Sequence, residues 1–239
     1  KKTLENSLKE KYGEEFVCLD VWSNGGSSYW GVCAPEKNHD IRFTTLFLTG
    51  GKITYEGYYA ACVAEKIEED VQKKLESVFS DFYLHSCMTV PLVSREVDDI
   101  YAENVRNESF DIDEYVNLAN EKWKNEAPSM SFYLCVNTSK SDKLNFEREY
   151  DMLSDIFPKF DNMGIGTIVY LKFMPEHKYL ECIEYLETRA YAYSTFDDMV
   201  RDYPVKVSDV NLNISFEGED ATYVLITKEE YIKQRKEVN

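Results

Sequence analysis

Apolar and polar positions along the chain alternate with two periods, and the switches between them lay out the elements. Residues 3–12 read as a short helix stopped at Gly13. Period-two alternation then predicts three strands, 16–22, 29–34 and 41–48, of an antiparallel meander that Gly50-Gly51 ends. A long helix is predicted next. Tyr55, Tyr59, Cys62, Val63, Ile67, Val71, Leu75, Val78 and Phe82 recur at three- and four-residue steps, while Glu65, Glu68, Glu69, Lys73 and Lys74 occupy the other face. Residues 83–90 read as a strand ending at Pro91.

The pattern resumes after a polar stretch, 91–108, that reads as a linker or long loop. A helix over 111–126 is predicted with Ser109 near its start. It carries Ile112, Tyr115, Val116, Ala119 and Trp123 on one face. A strand over 131–137, a helix over 143–157, a strand over 167–173 and a helix over 176–190 follow. A short helix at 196–203, a hairpin of strands 205–216 and 221–226, and a final helix from Lys228 complete the reading. The expected class is α+β: an antiparallel meander with helices packed on one face, followed by a second mixed α/β region. The expected division is 1–90, a linker at 91–108, and 109–239, although one continuous domain satisfies the same pattern.

The first hairpin can be read in more detail. Residues 23–28, Ser-Asn-Gly-Gly-Ser-Ser, are strong turn chemistry. Matching the alternating Val17, Leu19, Val21 with Trp30, Val32, Ala34 pairs Val21 with Trp30, Leu19 with Val32 and Val17 with Ala34. That register puts Cys18 opposite Cys33 on the other face, a candidate disulfide that argues for an oxidising compartment if it forms. It also makes Trp22 face Tyr29 beside a Gly- and Ser-rich loop. Such an aromatic pair suits sugar stacking or protein recognition if exposed, and packing if a second layer covers it. Trp22 and Tyr29 are the candidate binding residues.

Composition narrows the function classes. A formal net charge of −17 and a pI of about 4.6 give a field that repels phosphate backbones and anionic headgroups. No basic patch offsets it, since the densest basic segment, 228–236, is interrupted by Glu229 and Glu230. Nucleic acid is therefore not an expected partner. No stretch reaches the ~20 apolar residues of a transmembrane helix. The sequence begins Lys1-Lys2-Thr3 without Met, which fits a removed signal or lipoprotein leader and a lipid anchor carried on it.

Recognisable catalytic motifs are missing: no GxSxG, P-loop, GxGxxG after a strand or HExxH occurs. The six cysteines show no CxxC or zinc-type cluster. His39 reads as a loop histidine. His85 and Cys87 share one strand face without a second ligand pair, and His177 with Glu181 occupies one turn of a helix start. The acidic groups Asp98-Asp99, Asp111 with Asp113-Glu114, and Asp197-Asp198 arise readily in a chain with 44 acidic residues. No catalytic residue, metal or cofactor is expected.

The segment Leu8-Lys9-Glu10-Lys11-Tyr12-Gly13-Glu14-Glu15-Phe16, followed by the meander and the long helix, resembles uncharacterised exported or lipid-anchored proteins of Gram-positive bacteria over about the first 85 residues. The resemblance implies export, with or without a membrane tether, and no defined activity. The expected function is then a non-enzymatic extracytoplasmic binding or interaction protein with a protein or carbohydrate ligand. The charge motivates an alternative, a cytosolic inhibitor or immunity-type protein that masks a basic partner. An enzyme of unrecognised type is the third reading.

Overall fold

The computed structural model describes residues 1–89, 129–140, 145–157, 166–189, 212–216 and 227–238. The predicted linker, the helix at 111–126, the short helix at 196–203 and the strand at 221–226 lie outside these residues. The fold is α+β, as the alternation of periods requires.

The chain opens with α1 (Lys2–Tyr12), which turns Leu4, Leu8 and Tyr12 inward at four-residue spacing. Gly13 closes it in the left-handed conformation (φ 74°), where its N–H donates to Lys9 O at 2.8 Å. Strands β1 (Phe16–Ser23), β2 (Ser28–Pro35), β3 (Phe43–Leu48) and β4 (Ile53–Glu56) form an antiparallel sheet in chain order. The fourth strand corrects the sequence pattern. Tyr55 falls four residues before Tyr59 and so mimics a helical position, but the turn at Gly50-Gly51 folds it back against Leu46.

Helix α2 (Tyr58–Leu75) starts directly after β4, with Glu56 at the junction. The buried Glu56 carboxylate accepts from Tyr58 N at 2.7 Å, Lys11 Nζ at 2.7 Å and Tyr12 Oη. One acid therefore satisfies a helix N-terminus and ties α1 to it. The first turns of α2 place Tyr58, Tyr59 and Cys62 with Leu4, Leu8, Phe16 and Phe43. Farther along, Val63, Ile67, Val71 and Leu75 join a second core.

That second core belongs to a mixed sheet, β5 (Phe82–Thr89), β6 (Ser129–Asn137), β7 (Gly166–Met174) and β8 (Leu212–Phe216). Strands β6 and β7 are parallel, joined across helix α3 (Phe146–Ile156); the other pairs are antiparallel. Asn145 caps α3 by accepting from Arg148 N at 3.0 Å. The sequence pattern places the strand at 83–90 in the first region; in the structure it is the edge of the second sheet, hydrogen-bonded to β6. The expected boundary near residue 90 therefore cuts through a sheet.

Leu84, Met88, Phe132, Leu134, Val169, Leu171 and Phe173 face α2, α3 and the last helix, α5 (Lys228–Val238). Helix α4 (Glu176–Arg189) brings Tyr179 and Cys182 to the opposite face. Among the described residues no helix is long and apolar enough to cross a membrane.

Candidate functional site

A bulge decides what the first sheet presents. Val17 pairs with Ala34 and Cys18 with Cys33, as the alternation predicts. The register then shifts between Cys18 and Asp20, so Leu19 is the extra residue and Asp20 pairs with Val32, Val21 with Gly31 and Trp22 with Trp30. Each side chain beyond the bulge changes face relative to the expectation. Trp22 consequently does not face Tyr29. Tyr29 pairs with Ser23 and turns to the α1 side, where its ring stacks on Phe47 at 5.7 Å. The candidate pair Trp22–Tyr29 is therefore dissolved by the bulge.

In its place the outer face carries a row that crosses all four strands. Trp22 pairs with Trp30, Trp30 with Leu46, and Leu46 with Tyr55. All four are half-buried. The Trp30 ring meets Tyr55 edge-on, centroids 6.1 Å apart and planes at 75°. Its Nε1–H donates to Asn24 Oδ1 at 3.0 Å, so the tip of the hairpin fixes the indole. Val32 and Ala34 on the same face are buried. The face thus grades from covered at Ala34 to part-open at the Trp30 row.

The candidate cysteines lie on the α1 side, not beside the tryptophans. Glu36 N donates to Glu15 O at 2.9 Å, which makes that opposed pair a hydrogen-bonded one. Counting along the alternation, Cys18 and Cys33 form a non-hydrogen-bonded pair, the type with the closer side chains. Cys18 N–H, turned away from β2, donates to Glu5 Oε1 of α1 at 2.9 Å. Both residues are buried and both are thiols. The hydrogen bond between them pulls Cys18 below the usual thiol range and pushes Cys33 above it. Cys62, by contrast, is a core thiol that burial pushes up to about 12.

The remaining sequence candidates fall apart as sites. The carbonyl of His39 accepts from Arg42 Nε at 3.0 Å in a loop. Glu181 pairs with Lys178 at 3.3 Å, leaving no His177–Glu181 couple. The three acidic clusters lie outside the described residues. The side chain of Cys87 lies outside the described residues, and among those described no group of three or more His, Cys, Asp or Glu could hold a metal.

His85 instead stacks on Tyr133, centroids 6.2 Å apart, with Nδ1 3.9 Å from Glu68 Oε2. Glu68 caps the free edge of β5, accepting from Ser86 N at 2.5 Å and Ser86 Oγ at 2.7 Å. Burial raises its carboxyl to about 7, against the pull of those two donors. Burial likewise lowers His85 to about 4. The pair is neutral on both sides across mildly acidic pH.

Sequence reasoning missed two constellations. Buried Glu149 of α3 accepts from Tyr231 Oη and Arg235 Nε of α5, each at 2.9 Å. On the α4 face of the second sheet, Cys135 Sγ lies 3.9 Å from Cys182 Sγ, and Cys135 pairs in register with Lys172. The uninterrupted apolar run 132–136 was the available signal for the second, since it marks a strand covered on both faces.

These features define a two-sheet α+β protein with an aromatic outer face and no assembled catalytic cluster among the described residues. No family model and no curated protein matches the chain. A crystal structure of a DUF5037 family protein from Ruminococcus gnavus ATCC 29149 is similar over 98% of both chains, with a TM-score of 0.65 and 18% sequence identity. At that identity the likeness is one of fold.

Proposed function

We propose that this chain is a non-enzymatic extracytoplasmic binding protein whose contact surface is the outer face of the first sheet. The observation that carries the reading is the cross-strand row Trp22–Trp30–Leu46–Tyr55. Large, rigid aromatic rings give contact area at small entropic cost, and their faces suit sugar rings or apolar protein side chains. The net charge of −17 selects against anionic ligands, so a neutral glycan or a neutral-to-basic protein is the class that fits. The facing Cys18–Cys33 pair is placed to close to a disulfide in an oxidising compartment, which is the location this reading requires.

The test is a paired screen of the intact protein and its Trp22→Ala/Trp30→Ala double variant on arrayed neutral glycans and surface proteins. Ligands bound by the intact protein and lost by a folded variant support the reading. Ligands retained unchanged by the variant overturn the assignment of this face. The same charge motivates the cytosolic inhibitor reading, which requires affinity for a basic protein that weakens steeply with salt.

A further inference from the structure

We propose that Cys135 and Cys182 are a peroxide-sensitive dithiol, closed by a small hydroperoxide into a disulfide that joins β6 to α4. Three observations carry the inference. The sulfurs already lie 3.9 Å apart, one on a strand and one on the helix over it, so closure needs a side-chain adjustment and not a rearrangement of the chain. Both residues are buried, Cys135 at 1% and Cys182 at 8% exposure, so a bulky disulfide reagent is disfavoured and the more exposed Cys182 is the sulfur a small oxidant meets first. Lys172, itself buried, is the register neighbour of Cys135 on the parallel strand and brings a cation to the thiols.

The two thiols are not equivalent. Either sulfur can donate across their contact; that contact and Lys172 lower Cys182 below the usual thiol range, while the same contact and burial push Cys135 up. Cys182 is therefore the attacking sulfur. Its thiolate takes the terminal oxygen of the hydroperoxide, the O–O bond breaks, and water or an alcohol leaves after protonation. The resulting sulfenic acid is attacked by Cys135, the S–O bond breaks, and a second water leaves as the S–S bond forms. Two thiols are oxidised by two electrons and the hydroperoxide is reduced. The bond would fix α4 next to Tyr179, one turn earlier, whose hydroxyl already donates to Asp81.

The experiment uses the full chain, reduced, freed of reductant and treated with hydrogen peroxide. The expected result is a protein lighter by two hydrogens whose non-reducing peptide map joins the segments containing Cys135 and Cys182. Cys135→Ser should arrest the reaction at a sulfenic acid on Cys182, trapped by dimedone. Lys172→Met should slow oxidation of Cys182 severalfold, because it removes a cation that favours the thiolate. A wild-type map in which both residues stay free, or in which Cys182 reaches the sulfinic acid beside a reduced Cys135, overturns the proposal without reference to any variant. A bridge at Cys18 and Cys33 appears in different peptides and does not count for it.

Discussion

Arg235, in the last turn of α5, donates from Nε to Glu149 Oε2 of α3 at 2.9 Å, and both side chains are buried. The guanidinium also lies over the Phe173 ring, 3.4 Å from its centre. The pair latches the C-terminal helix onto the second sheet. Breaking a buried pair strands one charge, so Arg235→Ala or Glu149→Ala should each destabilise the protein by about 3–5 kcal/mol. The double change Glu149→Leu/Arg235→Met should cost clearly less than the two single costs together, because no lone charge remains. Urea denaturation of the four proteins measures the difference; additive losses would show that the two groups do not act as a pair.

Glu68 and His85 impose opposite pH slopes on stability. From its ordinary 4.5 to about 7, the native Glu68 carboxyl holds a proton that the unfolded chain has released, so its contribution falls as pH rises. From about 4 to the ordinary 6.5, the unfolded imidazole holds a proton that native His85 lacks, so its contribution rises. Solvent reaches 28% of the His85 side chain and moderates its share. Relative to wild type, Glu68→Gln should gain stability as pH rises from 4.5 to 7, and His85→Asn should lose stability between 4 and 6.5. Denaturation midpoints at the two ends of each window test both signs; a Glu68→Gln difference that stays flat would sink the assignment.

Gly31 is the place where α1 rests on the sheet. A Cβ there would stand 2.9 Å from Leu4 Cδ2 and 3.1 Å from Thr45 Oγ1. Gly31→Ala should therefore cost about 1–3 kcal/mol by overpacking. Leu4→Ala removes the obstructing atom at a cost of about 2–5 kcal/mol of its own. The double variant should be more stable than the two losses added together. A thermal-melt double-mutant cycle showing simple additivity would mean that α1 gives way elsewhere.

Cys18 and Cys33 should bridge when the protein is folded under mild oxidation. The closed loop of about 15 residues should stabilise the chain by about 3 kcal/mol in the loop-entropy account. A thiol count by alkylation under denaturing conditions, followed by peptide mapping, reads the bridge. Denaturation with and without reductant reads its worth, with Cys18→Ser as the control. Free thiols at both positions after oxidation would remove this support for an extracytoplasmic location.

Much of the fold was legible because local chemistry and tertiary structure agree. Gly13 stops a helix both by its conformational freedom and by its place before a strand, and the apolar stretches at 132–136 and 167–173 survive into paired strands. The misreadings share a cause, which is pairing that no local period records. Tyr55 fits the helical stripe by spacing and is claimed by β3 through a glycine turn. Leu19 keeps the alternation of β1 unbroken in sequence while its bulge inverts everything beyond it. The aromatic face was thus foreseeable in composition and not in membership: Trp22 stays, Tyr29 leaves, and Trp30 and Tyr55 enter. Cys135 and Cys182 stand 47 residues apart and meet only because a helix returns over the sheet.

Helix α2 contributes Tyr58, Tyr59 and Cys62 to one core and Val63 through Leu75 to the other. A cut on either side of it takes part of the core from one sheet, so neither half is a natural unit for expression, grafting or exchange. An unfolding event in one core therefore acts on a helix that the other core shares.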